Sequence, residues 1–192
     1  LRSRERALCP DDYVALALAA SPEVSRAYAL VDGRRARLSV LILSDAATHR
    51  YRPPRRLIDE VTEYVRARAP VCEQDRIQVS GPEYLHLNML IQVLPVNATG
   101  SQEDTARAIQ AMITEHLDPL SGGEFRQGWR PGLMPRSPPM VASICSLPGV
   151  RAADTRILST ISENTDYLPA PGDLDIQFVS HLPGVTQGRV LQ

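Results

Sequence analysis

The chain has 192 residues and a formal net charge of -1 at pH 7, with a pI of about 6.5. No positive field is therefore available to hold nucleic acid or an anionic membrane surface. Hydrophobic residues make up 43% and charged residues 22%, proportions that are usual for globular domains and that exclude a disordered or collagen-like chain. The length suits one large domain or two small ones.

The cysteines and the arginines point to no reactive site. All 21 basic residues are arginines, which most simply reflects a GC-rich coding bias but also supplies planar donors that suit polar interfaces. Cys9, Cys72 and Cys145 are odd in number and far apart, which fits neither a disulfide framework nor a zinc site. We expect reduced, inert thiols and synthesis in the cytoplasm.

Apolar stretches are short throughout the chain. None approaches the roughly 18 to 20 residues that span a bilayer, and no basic segment followed by an apolar one opens the sequence. We therefore expect no membrane insertion. Because the chain begins at Leu1 and not at a methionine, we also expect it to be part of a longer polypeptide.

A helix over 9–20 is the first predicted element. It opens with a proline and the acidic pair Asp11 and Asp12, which suit the exposed N–H groups and the dipole of a helix N-terminus. A cation site at these carboxylates is the weaker interpretation. A β-hairpin follows, with arms over 24–31 and 36–43 around an Asp-Gly turn.

An amphipathic helix over 55–69 is predicted next, after a polar loop, from apolar residues at helical spacing. A short strand over 76–80 and a break at Gly81-Pro82 lead into a long strand over 84–96. The apolar face of this strand alternates with a polar face that carries His86, Asn88 and Gln92.

A second amphipathic helix begins after Ser101, a good N-cap residue, and stops at Asp118-Pro119. Two strands, a helix, two strands and a helix predict an α+β fold, in which a mixed sheet over 23–120 is covered by two amphipathic helices. Residues 121–139 are rich in glycine, proline and arginine, which indicates a loop.

A small C-terminal α/β subdomain is predicted beyond this loop. It has a short helix over 139–147 and strands over 150–161 and 173–179, and the stretch that ends in Pro169-Ala170-Pro171-Gly172 is interpreted as turn-rich. The predicted division of the chain is an N-terminal helix and connector at 1–22, an α+β sandwich domain at 23–120, and the loop with the C-terminal subdomain at 121–192.

No catalytic, metal or cofactor motif is found in the sequence. A nucleophile elbow, a reactive-cysteine motif and a phosphate loop are all absent. Gly122-Gly123 follows a helix instead of opening one, so a turn is favoured over a phosphate site. The four histidines are dispersed, without the short ligand spacing that is common in metal sites. We expect no cofactor and no enzyme activity.

The sharpest basic feature is an arginine cluster around Tyr51, made of Arg50, Arg52, Arg55 and Arg56. An anionic groove is one possible partner, but acidic residues follow directly over 59–63. A protein contact or a solvated face is therefore favoured over nucleic acid.

Several segments, taken in order, have a recognisable pattern. They are Arg6-Ala7-Leu8-Cys9-Pro10-Asp11-Asp12-Tyr13 with Ser21-Pro22-Glu23-Val24-Ser25-Arg26-Ala27, Gly81-Pro82-Glu83-Tyr84, Leu117-Asp118-Pro119-Leu120-Ser121-Gly122-Gly123 with Gly128-Trp129, and Leu147-Pro148-Gly149-Val150. Together they resemble the baseplate J-like family, the wedge proteins of contractile phage tails and extracellular injection systems. The sequence departs from the family's GWPFGR motif at Trp129-Arg130-Pro131-Gly132-Leu133.

The resemblance implies a non-enzymatic baseplate wedge component. Its expected partners are other wedge and hub proteins, copies of itself or a paralogue in a ring, and the sheath. It would be made in the cytoplasm and belong to an assembled particle that is released or docked to a membrane. Neither nucleic acid nor a small-molecule substrate is expected. The alternative is a small-molecule-binding or regulatory α+β module, in which His86, Asn88 and Gln92 line a pocket.

The same residues have physical roles of their own. Gly81 and Pro82 make a sharp entry to the long strand, Asp118 and Pro119 stop a helix, and Gly122 and Gly123 allow backbone angles that a side chain forbids. Trp129 is either a lid over the core or an anchor in a partner's pocket. The candidate interface residues are Arg50, Arg52, Arg55, Arg56, Phe125 and Trp129.

Overall fold

The computed structural model describes residues 9–32, 37–44, 51–96, 101–159 and 167–182. Its helices are α1 (Pro10–Ala20), α2 (Arg55–Arg66), α3 (Gln102–His116) and α4 (Ser137–Cys145). Its strands are β1 (Val24–Asp32), β2 (Arg37–Ser44), β3 (Ile77–Ser80), β4 (Glu83–Pro95), β5 (Val150–Ile157) and β6 (Tyr167–Phe178), and a 3-10 turn, Gln74–Arg76, precedes β3. The predicted α+β class is confirmed.

These elements form two compact units. The first contains the described part of Leu1–Glu83 with Arg130–Gly132 and Asn164–Leu168, and the second contains the described part of Tyr84–Trp129, Leu133–Glu163 and Pro169–Gln192. The division at 1–22, 23–120 and 121–192 that the sequence predicts stays a prediction.

The first unit is built on a three-stranded sheet in the order β1-β2-β3. β1 and β2 are antiparallel, with Ala29 opposite Val40, whereas β2 and β3 are parallel. A parallel pair needs a crossover connection, and α2 supplies it. Val40 to Leu43 are all buried, which confirms that β2 lies inside the sheet. The turn of the hairpin falls at 33–36, outside the described residues.

The start of α1 confirms the predicted capping role for Asp12, the second residue of the acidic pair. The Asp12 carboxylate accepts the backbone N–H of Cys9 at 3.0 Å, which satisfies a donor at the helix N-terminus. The next residue, Tyr13, is buried, and its hydroxyl donates to the carboxylate of Glu73. Burial raises the pKa of Tyr13, and the hydrogen bond to Glu73 raises it further, so this hydroxyl stays protonated at neutral pH.

The second unit is built on a sheet in the order β5-β4-β6, with β4 at its centre. β4 and β5 are antiparallel, with Met89 opposite Ile157. The apolar face of β4 is buried, as are the inward positions Ile109, Ile113 and Leu117 at α3 and Met140 and Ile144 of α4. The predicted amphipathic pattern of α3 and its Ser101 cap are confirmed, since the Ser101 hydroxyl accepts the N–H of Asp104 at 3.2 Å.

Two features differ from the sequence analysis. The strands over 23–120 lie in two sheets and not in one, because the chain breaks between β3 and β4 at Gly81-Pro82. A Cβ on Gly81 would lie 2.8 Å from Cδ of Pro53, and Pro82 has no N–H to continue a ladder. β4 is thereby free to pair with β5 and β6.

The prediction of a turn at Pro169-Ala170-Pro171-Gly172 was wrong, because these residues belong to β6. β6 lies at the edge of its sheet among the described strands. Pro171 keeps a bond to β4 without an N–H, because its carbonyl oxygen lies 3.1 Å from Nδ1 of His86. The sequence rule that treats Pro-x-Pro as a turn fails here for that reason.

Candidate interface

A rigid loop follows α3 in the second unit, and we call residues 118–129 the Gly-Trp loop. Its first turn is held by one carboxylate oxygen of Asp118, which accepts the N–H of Leu120 at 2.9 Å, the N–H of Ser121 at 2.7 Å and the hydroxyl of Ser121 at 2.8 Å. Aspartate does this well because its short side chain reaches the backbone two residues ahead. The Asp-Pro-Leu-Ser sequence therefore builds a fixed turn.

Gly122 and Gly123 lie where the backbone of the loop passes close to the end of α3. The N–H of Gly122 donates to the carbonyl of Asp118 at 2.9 Å, and the N–H of Gly123 donates to the carbonyl of His116 at 2.8 Å. A Cβ on Gly122 would overlap both of these carbonyl oxygens. Gly123 has a φ of 82°, in the region that side chains disfavour. Each glycine is thus required for a different reason.

Trp129 closes the loop from the inside. It is only 8% exposed, its indole N–H donates to the carbonyl of His116 at 2.8 Å, and its ring meets the imidazole of His116 edge-on with centroids 5.7 Å apart. This arrangement is that of a lid held by its own chain. Among the candidate interface residues that the structure describes, Trp129 is therefore the one least available to a partner, because its surface is already covered.

Phe125 lies at the opposite extreme, with 80% of its surface exposed. Arg126, beside it, has a φ of 52°, which is uncommon for a residue with a side chain. Two ion pairs flank the phenylalanine: Arg126 with Glu115 at 3.4 Å and Arg136 with Glu124 at 2.8 Å. The Gly-Trp loop thus holds an apolar ring in solvent between two pairs of charges.

A cleft of about 420 Å³ lies beside this ring, between α3, the Gly-Trp loop and α4. Its lining includes Met112, Glu115, His116, Gly123, Glu124, Phe125, Pro139 and Ala142. Burial lowers the pKa of His116, and nearby Glu124 opposes this by raising it. The cleft is therefore lined by apolar side chains and by charged and polar ones.

Phe125 stands out in the sequence as an aromatic residue in a loop, whereas the residues that frame it do not. Glu115, Glu124, Arg126 and Arg136 are brought together by the loop, and their spacing in the sequence follows no helical or strand period. Only the wall of the cleft formed by α3 has a signal in the sequence, because Met112 and Glu115 lie at helical spacing.

The arginine cluster lies in the first unit, at the start of α2, and Arg50 falls outside the described residues. Arg52, Arg55 and Arg56 are all exposed. Arg55 pairs with Asp59 at 3.2 Å, one turn along the helix. Arg56 forms two hydrogen bonds to the carboxylate of Glu23, at 2.7 and 2.9 Å. Arg56 therefore ties α2 to the beginning of β1 and has less freedom to meet a partner.

The polar face of β4 has a structural use within the sheet. The Nδ1 atom of His86 lies 3.1 Å from the carbonyl oxygen of Pro171, and the side-chain oxygen of Asn88 accepts the N–H of Asp173 at 2.9 Å. The hydroxyl of Ser159 accepts the N–H of Asn88 at 2.7 Å and donates to the carbonyl of His86 at 3.0 Å. His86 and Asn88 are therefore bonded to neighbouring segments of the chain, which leaves fewer polar groups on this face of β4 to hold a small molecule.

The remaining candidate ligands do not converge. Cys9, Cys72 and Cys145 are exposed and form no disulfide with one another. Within the described ranges, no three His, Cys, Asp or Glu side chains meet in a metal-binding group. None of the helices that the structure describes has both the length and the apolar character needed to cross a bilayer.

Comparisons with known proteins give a likeness in fold. No family model matches the chain, and no curated protein matches its sequence. The fold is similar to that of a chain in the cryo-EM structure of the anti-feeding prophage baseplate, six-fold symmetrised, with a TM-score of 0.63 and 14% identity. The match covers 88% of this chain and 38% of that one. At this identity the likeness establishes a shared fold, over well under half of the other chain's length.

Proposed function

We propose that the chain is a structural part of the baseplate of a contractile injection system or phage-like tail, in a wedge position of the baseplate J-like kind. The observation that carries this proposal is the fold, which 88% of the chain shares with a chain of a solved baseplate. A likeness over so much of the chain concerns the whole arrangement of elements and not one common motif.

The sequence resemblance supports the proposal from a separate direction. Its most specific segment, Leu117 to Gly123 with Gly128-Trp129, coincides with the loop whose glycines and tryptophan are bonded to the end of α3. Asp118, Gly122, Gly123 and Trp129 of this segment all take part in the hydrogen bonds that shape the loop. The motif and the fold thus support the same proposal.

In this proposal the chain acts through contacts and has no catalytic step. Phe125 is the best anchor, because aromatic residues dominate binding energy when a partner covers them. The loop that carries Phe125 is already ordered by its own hydrogen bonds, so binding costs little conformational entropy. The cleft beside Phe125 gives the partner's own apolar side chain a place to pack.

The exposed arginines at α2 have a different role in the proposal. Arg52 and Arg55 are solvent-exposed charges, which steer association and select partners more than they add affinity. Their partners would be acidic patches on neighbouring baseplate subunits. The wider arrangement, in which wedge and hub proteins, copies or paralogues of this chain and the sheath assemble into one particle, belongs to the same proposal.

The experiment is a count of assembled particles in producing cells that carry Phe125→Ser. We expect folded protein at normal abundance and a large loss of complete particles, because the variant removes an apolar anchor that contributes little to the isolated fold. Val71→Ser is the matched control, since Val71 is also an exposed apolar residue, with 84% of its surface in solvent, and lies in the first unit. Normal particle numbers with Phe125→Ser would remove the Gly-Trp loop from the proposed interface.

A further inference from the structure

The sheet of the second unit has two outer strands with unused edges. β5 and β6 flank β4, so each has one edge to which no strand of the described ranges is paired. An unpaired edge offers a row of N–H and C=O groups to any strand that approaches it. Both strands are long enough to pair, with 8 residues in β5 and 12 in β6.

The part of β6 that begins at Gly172 is the simplest template for a ladder, because each of its residues has an N–H, which Pro169 and Pro171 lack. From there to Phe178 the side chains alternate, with Leu174 and Ile176 partly buried and Asp173 and Asp175 exposed. This part matches the length of β5 to within one residue.

The two edge strands carry different charges. β5 has exposed arginines at Arg151 and Arg156, with Asp154 between them, and Nε of Arg156 lies 3.5 Å from the carboxylate of Asp154. The charged residues in the part of β6 from Gly172 to Phe178 are Asp173 and Asp175, and both are acidic. The net charges of the two edges are therefore opposite in sign.

Arg156, Asp173 and Asp175 lie on one face of the sheet. Arg156 stands opposite Leu90, which belongs to the less buried face of β4. Asp173 and Asp175 are exposed and alternate with the partly buried Leu174 and Ile176, which places both aspartates on the same open face. If the sheet of a second copy pairs with this sheet edge to edge, Arg156 of one copy and Asp173 and Asp175 of the other lie on the same side of the combined sheet.

Strand direction is also compatible with such an extension. β4 and β6 run parallel, because their contacts move in the same direction along both strands, from Asn88 with Asp173 to Val93 with Val179. β5 is antiparallel to β4. A β6 edge beside the β5 edge of an equally oriented copy therefore forms an antiparallel pair, the commoner kind.

We infer that a second copy of this chain docks here, with the β6 edge of one copy paired to the β5 edge of the next. The contact is head-to-tail, and such contacts generate rings or open filaments. The two-fold alternative, β6 against β6, sets Asp173 and Asp175 against the same residues of the other copy, and like charges opposite one another are destabilising. The inference rests on the proposed function, to which it adds a self-association surface.

The test measures self-association by analytical ultracentrifugation of the purified chain, at low ionic strength and over a range of concentrations. Two variants reverse the charges of one edge each: Arg151→Glu with Arg156→Glu, and Asp173→Arg with Asp175→Arg. Each alone should raise the dissociation constant by about tenfold, because every cross-strand pair becomes repulsive. An equimolar mixture of the two should restore association, since their edges are again complementary.

The control for the arginine variant is Arg76→Glu with Arg107→Glu, which makes the same change in net charge away from β5 and β6 and should associate like the wild type. Circular dichroism of all variants checks that they fold. A wild-type chain that stays monomeric up to its solubility limit overturns the inference, and so does a mixture that does not recover. Neither result bears on particle counts with Phe125→Ser, so this inference and the proposed function fail separately.

Discussion

The carbonyl oxygen of His116 accepts the indole N–H of Trp129 at 2.8 Å and also the backbone N–H of Gly123 at 2.8 Å. One acceptor at the end of α3 therefore holds both the middle and the end of the Gly-Trp loop. The last carbonyls of a helix have no partner within the helix, and the loop supplies two donors to this one. The position of Phe125 depends on that arrangement.

Replacing Trp129 separates its hydrogen bond from its packing. Trp129→Phe keeps a ring but removes the donor, and we expect the free energy of unfolding to fall by about 1 kcal/mol, since Gly123 still satisfies the His116 carbonyl. Trp129→Ala also leaves a cavity and should cost about 3 to 5 kcal/mol. Urea unfolding followed by circular dichroism measures both. Equal stability of Trp129→Ala and the wild type would show that the tryptophan is no lid.

The two glycines should respond differently to substitution. Gly123→Asn should be milder than Gly123→Val, because asparagine tolerates positive φ and a β-branched residue does not, and the valine variant should lose roughly 1 to 3 kcal/mol. At Gly122 even alanine should be costly, because its Cβ overlaps backbone oxygens. Thermal unfolding of the three variants provides the comparison. A Gly122→Ala protein as stable as the wild type would contradict the packing described for this turn.

Stability should depend on pH through His116. The unfolded imidazole has its ordinary pKa of about 6.5, whereas burial lowers the pKa in the folded chain. The unfolded state then binds more protons between these two values, so the contribution of His116 is present above about pH 6.5 and is lost as pH falls through the folded pKa. His116→Phe should lose less stability than the wild type between about pH 7 and pH 5. Identical losses in the two proteins would mean that the folded imidazole titrates normally.

The arginine cluster is expected to matter for assembly and not for folding. Arg52→Glu, Arg55→Glu and Arg56→Glu combined should leave a folded domain, because all three side chains are exposed, although the tie between Arg56 and Glu23 becomes repulsive. Fewer particles should form in cells with this variant, as charge complementarity with neighbours is lost. Circular dichroism and electron microscopy measure the two effects. Unchanged particle numbers would exclude the cluster from the interface.

The local elements could be predicted from the sequence because each has its own signal. Pro10 with its acids marks the start of α1, Ser101 marks the start of α3, and the alternation around Met89 marks β4. Pairing between strands has no such local signal. The register of β4 with β5 joins residues some 60 positions apart, as in Leu90 opposite Arg156, and only the folded chain reveals it.

The candidate interface could be predicted only in part, because its contacts also join residues that are distant in the sequence. Phe125 and Trp129 stand out by residue type, but the sequence could not decide which of them is covered. That depends on the carbonyl of His116, thirteen positions before Trp129, a backbone group that every residue has. The ion pairs around Phe125 are equally invisible, because Arg136 reaches Glu124 across a loop with no regular period.

The central claim is that the chain is a structural part of a baseplate, and deletion tests it most directly. The measurement is electron microscopy of particles from producing cells that lack this chain, with the wild-type gene restored as the control. The account predicts that complete particles disappear while other tail components are still made, and that restoration recovers them. Normal numbers of complete particles in the deletion strain would contradict it.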